Sequence, residues 1–234
     1  MNRIALAVLS IAALAASVAQ ARDPVFVAPE QTHMGQFLAT PPADESAATR
    51  DELAELHRIE AARSEAEVAK AKFDDENENI FIFANVIGET FAKEKLPLTA
   101  ALAARVKSDE GVNAGAAKEA FHRVRPYNLD KTLHPVCKTK VKNDSYPSGH
   151  ATSGYLLALT LIDMVPEKRD EILRRADDYA HNRLVCGVHY ASDLEASKLT
   201  AYTIHAVIEL NAHYRAELAA AKAELRTSLG LPTN

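Results

Sequence analysis

The chain has 234 residues, a net charge of −5 and 47% hydrophobic residues. That length suits one domain with a full core. The mild acidity, with no basic block and no stripe of interleaved aromatics, excludes the usual footprint of nucleic-acid binding.

Residues 1–21 read as an export leader. Arg3 supplies a positive start, Ile4 to Val18 is an apolar run, and Ala19-Gln20-Ala21 places small residues where a signal peptidase reads them. Cleavage is expected after Ala21. The apolar run is short for a membrane span, and no later segment is apolar for long enough. The mature protein is therefore expected in the periplasm of a two-membrane host, with no membrane partner. Export bears on Cys137 and Cys186, which could pair in an oxidising compartment or stay as two buried thiols.

Residues 22–48 carry Pro24, Pro29, Pro41 and Pro42 and predict an extended arm. Residues 49–234 predict a single all-α domain, a compact helical bundle. Thr49 to Lys72 repeats apolar residues at steps of three or four, through Leu53, Leu56, Ile59, Ala62 and Ala66. Ile80 to Phe91 predicts a buried helix, Leu98 to Lys107 a short one after Pro97, and Gly115 to Arg125 another. Tyr127 to Tyr146 has no clear periodicity. Ser148 to Val165 predicts a central buried helix and Glu167 to Arg183 an amphipathic one, with Gly187 as its stop. Asp193 to Leu229 predicts a long helical stretch with one break.

Three segments carry the chemistry. Lys118 and Arg125 are seven residues apart, about 700° of helical turn, which predicts two cations on one helix face. Converging cations suit the oxygens of a phosphate. Pro147-Ser148-Gly149-His150 precedes an apolar helix, whose N-terminus favours an anion. Ser148 could cap that helix or meet a phosphate oxygen, and Gly149 permits close backbone approach. His150 could reach a leaving group. His189 and Asp193 are spaced i, i+4, so the carboxylate can fix the imidazole tautomer and leave the other nitrogen free to attack. Arg183 reaches the same place only if the chain bends near Gly187. Each motif alone has an ordinary explanation: solvated basic residues, a serine cap, a surface His–Asp pair.

Together, Lys118 to Pro126, Pro147 to His150 and Asn182 to Asp193 resemble the pattern K-x6-R-P, P-S-G-H and S-R-x5-H-x3-D of the phosphatidic acid phosphatase type 2 superfamily. The chain resembles in particular the class A bacterial non-specific acid phosphatases. The likeness extends to Pro41-Pro42-Ala43-Asp44, Asp144-Ser145-Tyr146, Cys186-Gly187-Val188-His189 and the Ala/Glu-rich C-terminal helix. It implies an acid phosphatase that hydrolyses small phosphomonoesters, nucleotides among them, in two steps without metal or cofactor. In that scheme His189 attacks phosphorus to form a phosphohistidine, Asp193 orients it, and His150 serves the leaving alcohol and then water. Lys118, Arg125, Arg183, Ser148 and the Gly149 N–H hold the phosphate oxygens. Asn182 stands where the pattern has serine, and Tyr190 where many relatives have tryptophan. Tyr146 and Tyr190 flank these positions and are candidate substrate contacts.

Three alternatives keep parts of this reading: a vanadium-dependent haloperoxidase-like enzyme, a lipid phosphate phosphatase, and a non-catalytic phosphate-binding protein. His122, His134, His181, His205, His213 and the pair Asp177-Asp178 are assigned no role, and Arg123 is expected in solvent. The long C-terminal helix or the arm could pack on a second subunit to make a homo-oligomer.

Overall fold

The computed structural model describes residues 23–233, among which there is no β-strand. The leader predicted over residues 1–21 lies outside the described residues. The helices in chain order are α1 (Pro29–Thr32), α2 (Met34–Phe37), α3 (Ala47–Ala62), α4 (Glu65–Glu76), α5 (Ala84–Ile87, entered through a 3-10 turn at Ile80–Phe83), α6 (Pro97–Phe121), α7 (Pro126–Leu129), α8 (Gly149–Met164), α9 (Arg169–Val185), α10 (Ala191–Ile208) and α11 (Ala212–Ser228). The all-α bundle is as expected.

Helix α8 is the axis. Eleven of its residues are buried, from Ala151 to Met164, as a helix apolar on every side requires. It packs against α6, α9, α10 and α11. At Gly154 the neighbouring helix comes so close that an added Cβ would lie 2.5 Å from the Tyr179 ring on α9. Glycine is needed there for approach, not for conformation.

Several boundaries differ from the sequence reading. The stretch from Thr49 to Lys72 is two helices, because Ser64 caps α4 and exchanges hydrogen bonds with Glu67 in a capping box. The predicted Ile80–Phe91 helix is a short 3-10 turn plus one α-turn that ends at Gly88, φ 124°. The two helices predicted over 98–125 are one helix of 25 residues. Gly111 and Gly115 cost it about 1 kcal/mol each in propensity, while Leu102, Ala103, Val106, Ala114 and Ala117 are buried along it. It stops at His122, which adopts a left-handed conformation (φ 49°). Arg125 therefore lies beyond the helix and caps α7, so Lys118 and Arg125 do not share a helix face.

The proline-rich arm contains the one-turn helices α1 and α2 and is docked on the bundle. The buried Asp109 carboxylate accepts the backbone N–H groups of Val25, Phe26 and Val27. Met34 and Leu38 pack with Ala117, Tyr146 and Ala196. No helix of the described residues is long and apolar enough to cross a membrane.

Candidate active site

The end of α6, the start of α8, and the α9–α10 junction meet at one cavity of about 150 Å³. Its lining is Asp75, Lys118, Arg125, Lys138, Lys140, Gly149, His150, Arg183 and His189. Pockets that enclose a drug-sized ligand start at about 300 Å³. This one admits a small anionic head and leaves the remainder of a larger molecule at the mouth.

Arg183 occupies the last turn of α9. Gly187, φ 72°, then reverses the chain and delivers His189 just before α10. The bend near Gly187 expected from the sequence is present, and Arg183 and His189 reach the same cavity.

His189 is buried and fixed on both nitrogens. Nδ1 lies 3.0 Å from Asp193 Oδ2, and Nε2 lies 3.1 Å from Arg125 Nη1. Arginine can only donate. The consistent tautomer therefore has the proton on Nδ1, donated to Asp193, and the lone pair on Nε2 among the cations. Burial, then the charges of Arg125, Lys118 and Arg183, push the His189 pKa well below its ordinary value. The imidazole is neutral, the form that has a nucleophilic lone pair.

Asp193 is fully buried and heavily bonded. Arg123 Nη1 donates to Oδ1 at 2.6 Å. Ser145 Oγ donates to Oδ2 at 2.6 Å, and the Tyr190 N–H does so at 3.0 Å. Burial raises the pKa of this carboxyl, against the opposing pull of Arg123 and these donors. Arg123 was expected in solvent; it is 4% exposed. Its second nitrogen donates to Glu52 at 2.7 Å, and its guanidinium lies 4.0 Å from the Tyr190 ring centroid. Glu52 also accepts the Ser192 N–H, at the start of α10.

The cations are held by the protein's own oxygens. Lys118 Nζ donates to the carbonyls of Asp144 and Pro147, both at 2.5 Å. Burial and the Arg125 charge lower its pKa to about 8. Arg125 Nε pairs with Asp144 at 2.6 Å. Arg183 Nη1 pairs with Asp75 at 2.7 Å, and its buried Nε has no hydrogen-bond partner. A buried donor left unmade costs roughly 1–3 kcal/mol, and an anion in the cavity would remove that cost.

His150 sits in the first turn of α8. Its Nε2 lies 3.2 Å from the Asp75 carbonyl and 3.9 Å from the Asp75 carboxylate. Burial and the Arg183 charge lower its pKa to about 4. Gly149 lines the cavity. Ser148 takes the capping alternative: its Oγ accepts the Ala151 N–H and it does not line the cavity.

Neither tyrosine offered as a substrate contact faces the cavity. Tyr146 donates to the Ala39 carbonyl in the arm and stacks edge-on with Phe121. Tyr190 is wholly buried beneath Arg123. Both rings are taken up by packing. Cys137 and Cys186 are joined in a disulfide, Cα–Cα 5.2 Å. Asn182 donates to Asp74 at 2.6 Å, and Arg175 pairs with the same carboxylate. That ties α9 to α4 immediately beside Asp75.

Of the residues given no role, His134 is exposed and pairs with Glu60, and Asp177 and Asp178 lie on the surface. His205 contacts Asp163 at 2.8 Å, away from the cavity. Asp75, Arg123, Glu52, Ser145 and Asp144 belong to the site or its support. Arg123, Asp144 and Ser145 stand within three residues of a motif in sequence, whereas Asp75 and Glu52 lie far from any.

The PAP2 superfamily model matches residues 96–216. A non-specific acid phosphatase of Salmonella typhimurium is 31% identical over 210 residues, 86% of this chain and 83% of the relative. One from Providencia stuartii is 32% identical over 148 residues, and an acid phosphatase of Zymomonas mobilis is 34% identical over 158 residues. The match spans 59% of the length of each of these two and 61% and 64% of this chain. Among solved structures, a bacterial vanadium-dependent iodoperoxidase shares the fold, with a TM-score of 0.58 at 21% identity over 75% of this chain and 53% of its own.

Proposed function

The chain belongs to the PAP2 superfamily, and from that premise we propose that it is an acid phosphatase that hydrolyses phosphomonoesters through a phosphohistidine at His189. The observation that carries this reading is the imidazole of His189. Asp193 holds its Nδ1, and its Nε2 faces Arg125 at a cavity lined by Lys118, Arg183, Gly149 and His150.

Phosphoryl transfer asks the protein mainly for position and charge stabilisation. Lys118, Arg125, Arg183 and the Gly149 N–H hold the non-bridging oxygens. Nε2 of His189 bonds to phosphorus as the ester P–O bond breaks, and the departing oxygen takes a proton from His150. Asp193 stabilises the positive charge that develops on the imidazole. His150 then accepts a proton from the water that cleaves the P–N bond, which returns both histidines to their first state. His150, with a pKa of about 4, is neutral at pH 5 to 6 before substrate binds. A bound phosphate offsets the Arg183 charge that depresses it, so substrate itself promotes protonation of the acid.

Export to the periplasm is part of the proposal. The Cys137–Cys186 disulfide supports it, since such crosslinks persist in oxidising compartments.

The test is turnover of an aryl phosphate at pH 5 to 6 in excess EDTA, by the wild type and by His189→Ala. EDTA-resistant turnover that vanishes in the variant is expected. Absent turnover in the wild type, or equal turnover in the variant, would overturn the reading.

A further inference from the structure

The cations of the cavity fall into two groups. Lys118, Arg125 and Arg183 are buried or nearly so and each is bonded to a protein oxygen. Lys138 and Lys140 line the same cavity but are exposed at its mouth. Among the described residues, neither ammonium makes a hydrogen bond or an ion pair.

Their backbone, in contrast, is tied down. Cys137 is bonded to Cys186, and the Val136 N–H donates to the Cys186 carbonyl at 3.0 Å. The Lys138 N–H donates to Asp75 at 3.3 Å. The Lys140 N–H donates to the Tyr127 hydroxyl at 2.7 Å, and its carbonyl accepts from Tyr127 and Asn128, both at 3.0 Å. The strap 136–140 is anchored at each of these points, so two exposed ammonium groups project from a fixed place.

Charge at the mouth is unbalanced. Asp75 is the one acidic residue of the lining, and it is committed to Arg183. Asp144, behind the lining, is committed to Arg125. Set against these two carboxylates, the five cations of the lining keep an excess of positive charge larger than one phosphate dianion neutralises, and the excess lies toward Lys138 and Lys140. No aromatic or aliphatic side chain lines the cavity to receive an apolar leaving group.

We propose that Lys138 and Lys140 form a subsite for a second phosphate carried on the leaving group. The preferred substrates would then be sugar bisphosphates or nucleoside diphosphates rather than aryl or lipid phosphates. This rests on the phosphatase reading above and deepens it. The reaction balances as before: the His189–phosphorus bond forms, the P–O bond to the phosphate-bearing leaving group breaks, and that oxygen takes its proton from His150.

Exposed charge pairs are individually weak, and two of them together are expected to give about a tenfold preference, which corresponds to about 1.4 kcal/mol. The test compares methylphosphonate with methylenediphosphonate, neither of which is hydrolysed, by isothermal titration to the wild type and to Lys138→Ala/Lys140→Ala. The diphosphonate is expected to bind about tenfold more tightly than the monophosphonate to the wild type. That advantage should disappear in the double variant and shrink with added salt. Equal binding by the wild type, or an advantage that survives the double substitution, would overturn the subsite.

In parallel, kcat/KM for a hexose monophosphate, a hexose bisphosphate and a nucleoside diphosphate should show the same ordering. A bisphosphate favoured over a nucleoside diphosphate would place the second phosphate several bonds from the scissile one; the reverse would place it adjacent. Failure of the phosphatase reading appears separately, as absence of turnover for every ester by a wild type that still binds phosphonate.

Discussion

The two histidines of the cavity are held in opposite ways. His189 is 2% exposed, with Asp193 on one nitrogen, Arg125 on the other, Arg123 and Ser145 bracing Asp193 from behind, and Glu52 holding Arg123. The His150 side chain is 27% exposed, and its one hydrogen bond among the described residues is to the Asp75 backbone carbonyl, with the carboxylate 3.9 Å away. A nucleophile, the role proposed for His189, gains from being fixed, because misplacement of the attacking atom is costly. A group that gives a proton and then takes one back, the role proposed for His150, gains from contact with solvent. The rigidity of the site is thus spent on one histidine and withheld from the other.

The comparison is broken most severely at the fixed histidine. Asp193→Asn keeps the shape but no longer favours the proton on Nδ1, and kcat is expected to fall by about 10²- to 10⁴-fold, as with other His–carboxylate pairs. Steady-state kinetics that moved KM alone would contradict that role. His150→Asn should lower kcat/KM, which reports formation of the phosphohistidine, about 10²- to 10³-fold on an alkyl phosphate and far less on a nitrophenyl phosphate, whose leaving group needs little protonation. A loss of kcat/KM of equal size on both would remove His150 from protonation of the leaving group.

Arg123→Gln tests the brace rather than the nucleophile. It leaves the buried Asp193 carboxylate without its cation, so kcat should fall about 10- to 100-fold with KM nearly unchanged. Removing a positive charge raises the Asp193 pKa further, so the acid limb of the pH profile should move to higher pH. Arg123→Lys, which keeps the charge but loses the fork to Glu52 and Asp193, should lie between. A purely structural arginine would lower the melting temperature and leave the acid limb where it was. The smallest effect is the most specific. The NMR titration of His150, held near 4 by burial and the Arg183 charge, should move upward when phosphate binds and offsets that charge. A titration that phosphate leaves in place would separate His150 from the bound anion.

The sequence made α8 legible through its long apolar run, and α9 through its amphipathic period and the local stop at Gly187. It also made the cavity's motif residues legible, since Lys118, Arg125, His150, Arg183 and His189 meet. It misled where tertiary structure decides. Lys118 and Arg125 converge through a chain reversal at His122, not along a helix face. Arg123 looked idle because its partners, Glu52 and Asp193, are 71 and 70 residues away. Asp75 has no motif around it and enters only because α4 packs on α9. Tyr146 and Tyr190 were adjacent to motif residues in sequence, but side chains of neighbouring residues point to different sides, and both rings went to packing.

The central claim is a covalent phosphate on His189. It is tested most directly by mixing enzyme with a radiolabelled phosphomonoester, quenching in alkaline denaturant, where phosphohistidine survives, and locating the label by mass spectrometry. The account predicts label on His189, more of it in His150→Asn, where hydrolysis of the intermediate is slowed, and none in His189→Ala. Steady turnover with no protein-bound phosphate in either the wild type or His150→Asn, or label on another residue, would contradict it.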